Sequence, residues 1–172
     1  PGAATTLLAK IVTAVFNDCF FIEEPTRCAA IRCVASGADL RPGDRVSVAG
    51  TIADRNGETV LDSATYSNAA PGSVLKPLGI TGRALGSVGP DPLGLLVTVC
   101  GPVTGVGDGY VVLDIGNAVH SARGCAGIEV RCSASSIAVG DCVCATGVLC
   151  REQVNGEAVY VLRAVESARV SQ

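Results

Sequence analysis

The sequence contains no methionine, no tryptophan and one histidine, and aromatic residues make up 3% of its 172 residues. Charged residues account for 17%, below the roughly 25% of an average globular chain. Lys10 and Lys76 are the two lysines, and the formal net charge is −3. Because no large positive field exists to hold a phosphate backbone, the composition excludes a strongly basic nucleic-acid binder, and we expect no nucleic-acid partner.

Two further absences narrow the class of protein. No apolar run reaches the roughly 18 residues of a membrane helix, so no membrane span is expected. The chain has no Cys-x-x-Cys pair and no Cys-x-x-Cys-His motif, which argues against zinc and excludes covalent haem. We therefore predict no metal site and no cofactor.

Small and branched apolar residues are abundant instead. Hydrophobic residues make up 48%, mainly valine, alanine, leucine and isoleucine, beside 21 glycines and 8 prolines. This mixture favours short strands separated by turns. It argues against disorder, and the sequence predicts an all-β protein.

The chain carries nine cysteines and begins at Pro1. Export followed by disulfide formation is the simplest account of so many cysteines. An unprocessed product would begin with methionine, so we expect a mature form cut from a precursor, or a partial sequence. The expected location is extracellular or at the cell surface.

An odd number of cysteines leaves one thiol unbridged or joined to another chain. Cys28 is the candidate for that role. The disulfide candidates are Cys19, Cys33, Cys100, Cys125, Cys132, Cys142, Cys144 and Cys150. The alternative for the odd cysteine is a buried, inert thiol that behaves as a small apolar side chain.

The sequence contains an internal repeat. The pattern Gly-Asp-x-Val-x-x-x-Gly begins at Gly43 and again at Gly140, 97 residues later. Further matches, in the same order along both halves, are Val12–Val15 with Val103–Val106, Cys28 with Cys125, Ile31 with Ile128, and Asn56–Glu58 with Asn155–Glu157. Matches in one order indicate a tandem duplication.

Each repeat is interpreted as five strands. The predicted domains are residues 1–70 and 95–172, joined by a Pro/Gly-rich apolar linker at 71–94. Asn-Gly pairs at Asn56 and Asn155 predict tight hairpin turns. Gly50 and Gly147 lie inside the fourth strands, where a glycine is typical of a bend or bulge.

Five strands, a loop between the third and fourth, and a bent glycine-bearing strand resemble the OB-fold. The segments Phe20–Glu24, Ala30–Val34 and Pro42–Thr51, with a connector at Lys76–Gly86, resemble the OB-like modules found in tandem in secreted bacterial proteins. The resemblance implies two tandem five-stranded OB-like β-barrels. It leaves function open, because OB-folds serve many functions.

OB-folds bind oligonucleotides or oligosaccharides on the face of strands two and three. That resemblance places the possible ligand face at Phe20, Arg32, Tyr110 and Arg131. Neighbouring acidic residues repel phosphate; they are Glu23, Glu24, Asp114 and Glu129. Neighbouring strands of the barrel also suggest disulfides from Cys100 to Cys142 or Cys144, and from Cys19 to Cys33.

No catalytic residue is predicted. His120 is interpreted as an exposed loop residue, and Gly105–Gly109 as a hairpin turn, since it lacks the lysine and helix of a phosphate loop. The sequence therefore predicts a non-enzymatic, exported structural protein that assembles with copies of itself into a filament, sheath or surface layer. The alternative is an extracellular OB module that binds a glycan or an oligonucleotide.

Overall fold

The computed structural model describes residues 2–85, 91–116, 120–132 and 137–169 of the chain. The strands in these ranges are β1 (Ala4–Val15), β2 (Cys19–Glu23), β3 (Ala30–Val34), β4 (Arg45–Arg55), β5 (Glu58–Ala70), β6 (Leu78–Gly79), β7 (Leu96–Gly107), β8 (Tyr110–Leu113), β9 (Ile128–Arg131), β10 (Cys142–Val154) and β11 (Glu157–Arg169). A single 3₁₀ turn, Gly82–Ala84, accompanies them. Within the described ranges, no helix has the length and apolar character needed to cross a membrane.

The first five strands close into a barrel in the order β1-β2-β3-β5-β4. β3 and β5 pair in parallel, and the other neighbours pair antiparallel. β1 serves two partners, since Ala4–Ile11 pairs with β4 and Ile11–Val15 pairs with β2. A closed barrel of five strands in which one long strand bends between two partners is the architecture of the OB-fold.

The later strands repeat this arrangement. Their hydrogen-bonded order is β10-β11-β9-β8-β7, with β6 added beside β7, and a further pairing of β10 with β7 joins the two ends. β9 and β11 are parallel, as β3 and β5 are. The predicted fold class, all-β with two tandem OB-like barrels, is confirmed.

The duplicated sequence segments make duplicated contacts. Val12 exchanges two backbone hydrogen bonds with the Gly43–Asp44 turn, both 2.8 Å long. Val103 exchanges two with the Gly140–Asp141 turn, at 2.8 and 2.9 Å. The repeated Gly-Asp therefore joins the start of the fourth strand to the first strand in each barrel.

The Asn-Gly pairs close the β4–β5 and β10–β11 hairpins. Asn56 and Gly57 have φ angles of 59° and 76°, and Asn155 and Gly156 have 52° and 86°. Two successive positive φ angles characterise the type I′ turn, whose twist matches that of the strands it connects. These turns hold the two longest hairpins of the chain in register.

The mid-strand glycines lie where the strand pairing shifts. The β4–β5 register shifts between Ala49 and Thr51, around Gly50, and the β10–β11 register shifts at Gly147. A Cβ atom on Gly147 would lie 2.2 Å from the carbonyl oxygen of Arg163, which leaves no room for a side chain. Glycine thus permits the bend that closes the barrel.

The core of the first barrel is built from alternating positions of its strands. Val12, Phe20, Ile22, Val46 and Leu61 belong to it, and all are at most 1% exposed. The loop between β3 and β4 contributes Leu40, which is 7% exposed and packs against this core.

The chain divides into two units. The first comprises residues up to Lys76 together with Leu93–Leu96, and the second comprises Pro77–Pro92 and the chain from Val97 onward. Residues of the expected linker, 71–94, therefore contribute to both units. In the second unit, β6 from this segment pairs in parallel with β7 at Val97 and Thr98.

Candidate functional site

The outer face of the second and third strands is the surface on which OB barrels bind ligands. Successive side chains of a strand point to opposite faces. Phe20 and Ile22 belong to the barrel core, so Cys19, Phe21 and Glu23 lie on the outer face of β2. The prediction that Phe20 belongs to the ligand face was therefore wrong.

Phe20 is completely buried, and its ring meets that of Tyr66 edge to face at 6.0 Å. The sequence required one of two adjacent phenylalanines to point inward but did not show which one. Phe21, on the outer face, is also completely buried and contacts Phe16 edge to face at 6.1 Å. Neither ring is available to stack on a base or a sugar.

Two ion pairs also lie on this face in the first unit. Arg32, predicted as a ligand residue, does lie on the outer face, opposite Phe21. It is 9% exposed, and its Nη2 atom lies 3.2 Å from Oε2 of Glu58, which is 2% exposed. The guanidinium of Arg32 is thus paired with a buried carboxylate.

Glu23 and Arg27 form the second pair, with Nε of Arg27 2.7 Å from Oε2 of Glu23. The other Oε atom of Glu23 accepts a hydrogen bond from the backbone N–H of Leu96. Arg27 donates its Nη atoms to the carbonyl oxygens of Lys76 and Leu96, the second at 2.7 Å. This clasp joins the β2–β3 hairpin to two distant backbone segments of the first unit.

We expect the burial of Glu23 to make stability depend on pH. Burial raises the pKa of Glu23 above its ordinary value, although Leu96 and Arg27 oppose the shift. Because the pKa is higher in the folded state than in the unfolded state, the resulting contribution to stability is present below about pH 4.5 and is lost as the pH rises through the folded-state pKa. Urea unfolding at several pH values should show that the free energy of unfolding falls as the pH rises through this range. Glu23→Gln should flatten this slope.

Glu24→Gln is the matched control for this experiment. Glu24 is the next residue, but its side chain is 34% exposed and pairs with Lys10 at the surface. Its substitution should leave the slope unchanged. A slope that is the same in the wild type and in Glu23→Gln would contradict the role of the buried carboxylate.

The corresponding face of the second unit carries a network of charges. Tyr110 pairs with Arg131 across the β8–β9 ladder, and Val112 pairs with Glu129. Glu129 is completely buried. Its carboxylate oxygens lie 3.0 Å from Nε of Arg123 and 2.9 Å from Nη1 of Arg131.

The network extends across the neighbouring strands. Arg131 also lies 3.4 Å from Glu152, which in turn lies 3.9 Å from Arg163. Arg123 covers the ring of Tyr110, with its guanidinium carbon 4.0 Å from the ring centroid. The hydrogen bond to Glu129 is the main cause that raises the pKa of Arg123.

The structure places Tyr110 and Arg131 on the outer face of β8 and β9, and that this face binds a ligand stays a prediction. Sequence reasoning missed Arg123, which lies in the loop before β9. It also read Glu23 and Glu129 as phosphate-repelling residues, although both are buried and bound by arginines. The sequence did contain a signal for these buried carboxylates. It is a glutamate within an apolar strand segment, as in Phe-Phe-Ile-Glu or Ile-Glu-Val. Such a carboxylate requires a cationic partner when the strand is buried.

All nine cysteines lie in the described part of the chain. Cys100 and Cys144 form a disulfide, and the other seven cysteines carry thiols. Cys144 was one of the two alternatives that the sequence left open for Cys100. The pairing follows from the ladder: Val103 bonds to Asp141, so three residues back along β7 and three forward along β10 bring Cys100 opposite Cys144.

The predicted bridge from Cys19 to Cys33 was wrong. Cys19 pairs with Val34, and Cys33 pairs with Phe20, so the two cysteines are offset by one residue. An offset of one residue places the two side chains on opposite faces of the hairpin. Burial raises the pKa of the Cys33 thiol to about 12, which keeps it protonated and unreactive.

The other disulfide candidates also carry thiols in the structure: Cys125, Cys132, Cys142 and Cys150. A disulfide requires two cysteines that face each other at short range. Cys150 instead faces Val161 across the β10–β11 ladder. Cys28 is an exposed thiol.

The remaining polar loops show ordinary structural contacts. His120 is exposed and forms an isolated bridge with Ala126. Ser121 donates its hydroxyl to the carbonyl of Cys125 at 3.2 Å. Within the described ranges, no three histidine, cysteine or acidic side chains converge as metal ligands would.

No protein-family model matches this chain. No curated protein matches it. Among solved structures, the crystal structure of the tetrameric p202 HIN2 aligns with 99% of this chain and 93% of its own, at 14% identity and a TM-score of 0.40. The fold assignment rests on the strand order and pairing of the chain itself.

Proposed function

We propose that this chain is a non-enzymatic, exported structural protein that assembles with copies of itself into a filament, sheath or surface layer. The observation that carries the proposal is that side chains on the outer face of the second and third strands of each barrel are buried and bound within the protein. In the first unit, Phe21 and Glu23 are at most 1% exposed, and in the second unit Glu129 is completely buried beneath two arginines. Each barrel uses this face to stabilise itself.

Exposed apolar side chains elsewhere support contacts between copies. Leu8 on β1 is 65% exposed, and Val74 and Val139 are 63% and 66% exposed. The low content of charged residues, 17%, limits the electrostatic cost of bringing copies together. Export is supported by the disulfide, since disulfides persist in oxidising compartments.

The proposal predicts ordered assembly of the purified protein with its disulfide intact. Sedimentation velocity should show large species whose amount rises with protein concentration, and negative-stain microscopy should show regular particles or filaments. Because apolar contacts drive the assembly, added sulfate should increase it. Small monodisperse particles at every concentration and salt tested would overturn the proposal.

One observation favours the second candidate, an OB module that binds an oligonucleotide or a glycan. The side chains of Arg123 and Arg131 remain 28% and 33% exposed beside Tyr110. A fluorescent single-stranded oligonucleotide and a fluorescent oligosaccharide are the probes for this candidate. Submicromolar, salt-dependent binding of the oligonucleotide that is lost in Arg131→Ala would support this candidate over the first.

A further inference from the structure

Two of the nine cysteines, all of which lie in the described ranges, are exposed residues, one in each unit. Cys28 lies in the loop between β2 and β3 and is exposed. Its Sγ atom lies 3.0 Å from the hydroxyl oxygen of Thr26, which holds the thiol at the surface. Cys28 is therefore placed to react with a group on another molecule.

The second exposed cysteine belongs to the disulfide. Cys100 is exposed, whereas its partner Cys144 is half-buried. Thiol–disulfide exchange begins when a thiolate attacks one sulfur of a disulfide and the other sulfur leaves. Because Cys100 is the more exposed residue of the pair, its sulfur is the expected point of attack, and the leaving group is then Cys144.

We propose that Cys28 of one copy attacks the Cys100–Cys144 disulfide of a second copy and links the two chains covalently. The Cys28 thiolate forms a new bond to the Cys100 sulfur, the Cys100–Cys144 bond breaks, and Cys144 departs as a thiolate that takes up the proton lost by Cys28. One disulfide is replaced by another. No oxidant or reductant is consumed.

The positions of the two groups determine the kind of product. The attacking thiol lies in the first unit, and the disulfide lies in the second unit. Each copy therefore has one group that attacks and one that is attacked. Contacts between different surfaces of identical subunits continue into an open chain unless the geometry closes a ring.

This inference rests on the proposed function. Within one chain, Cys144 competes for Cys100 at a high effective concentration, which favours the original disulfide. Exchange between copies becomes favourable only when assembly already holds Cys28 beside the disulfide of the neighbouring copy. The linked product should therefore appear at the protein concentrations at which particles form.

The repeat supplies a matched control thiol. Cys125 occupies the position that corresponds to Cys28 in the second half of the sequence, but it is half-buried. A Cβ atom built on Gly105 would lie 2.9 Å from its sulfur, which shows how closely Cys125 packs against β7. Cys28→Ser should abolish the linkage, and Cys125→Ser should leave it unchanged.

The experiment incubates the protein without oxygen and stops the reaction with an alkylating reagent. A non-reducing gel should show a ladder that disappears on reduction, and mass spectrometry should find the Cys28 peptide joined to the Cys100 peptide. Thiol titration should stay at seven per chain, because exchange preserves the seven thiols of the starting protein. The ladder should form faster at higher pH, since the thiolate is the nucleophile.

Three results would overturn the inference. A Cys28–Cys28 peptide accompanied by loss of thiols would show oxidation into closed dimers. An internal Cys100–Cys142 peptide would show exchange within one chain, since Cys142 lies two residues from Cys144 on β10. Regular particles without any ladder would leave the proposed function standing and refute the covalent link.

Discussion

Replacing Gly147 by alanine is expected to destabilise the second barrel by about 3 kcal/mol, the upper part of the usual range for a side chain forced into a packed site. The added Cβ atom would meet the Arg163 carbonyl oxygen at 2.2 Å and the Ala164 Cα atom at 2.8 Å. Both obstacles are backbone atoms of the paired strand, so no rotation of a side chain can relieve the contact. Urea unfolding of the wild type and variant measures the difference.

Gly79→Ala is the matched control in the same unit. Gly79 also lies in a strand, but a Cβ atom there would meet nothing within 4 Å. The change should alter the free energy of unfolding by at most about 0.5 kcal/mol. Equal stabilities of Gly147→Ala and Gly79→Ala would show that the bend at Gly147 does not require glycine.

The second large effect is expected at Phe20. Truncation to alanine should cost about 3–5 kcal/mol, because it removes a completely buried ring from the core of the first barrel and leaves a cavity. The edge-to-face contact with Tyr66 is lost as well. Thermal or urea unfolding of the whole protein should show this loss in the transition of the first unit.

Phe16→Ala and Tyr110→Ala are the controls for Phe20. Both rings are half-buried, so their truncation should cost clearly less than that of Phe20. If Phe20→Ala left stability unchanged but abolished binding of an oligonucleotide or glycan, Phe20 would belong to a ligand face after all. The core position of Phe20 would then be refuted.

The strand positions could be predicted because their causes lie close together in the sequence. Asn56-Gly57 and Asn155-Gly156 define hairpin turns through the φ angles of two adjacent residues. The repeated Gly-Asp could be recognised by comparing one half of the chain with the other. The structure shows what the repeat preserves, namely the pair of backbone bonds from that turn to Val12 and Val103.

The contents of the candidate site could not be predicted in the same way. Glu129 and Arg123 are six residues apart across a loop, while Glu152 and Arg163 come from the last hairpin. Their convergence depends on the barrel closing, and no local pattern encodes it. The same holds for the Glu23–Arg27 clasp, whose backbone partners include Leu96.

By itself, the sequence determined that this protein is an all-β tandem repeat. The alternation of apolar residues and the turn residues are local features of the sequence, and the duplicated motifs can be matched by comparing its two halves. The tertiary structure alone decided that Phe20 faces the core, that Cys100 joins Cys144 and that Cys19 and Cys33 stay apart. The physical reason is the two-residue period of a strand. A shift of one position exchanges the two faces, and only the packing of the whole barrel selects between them.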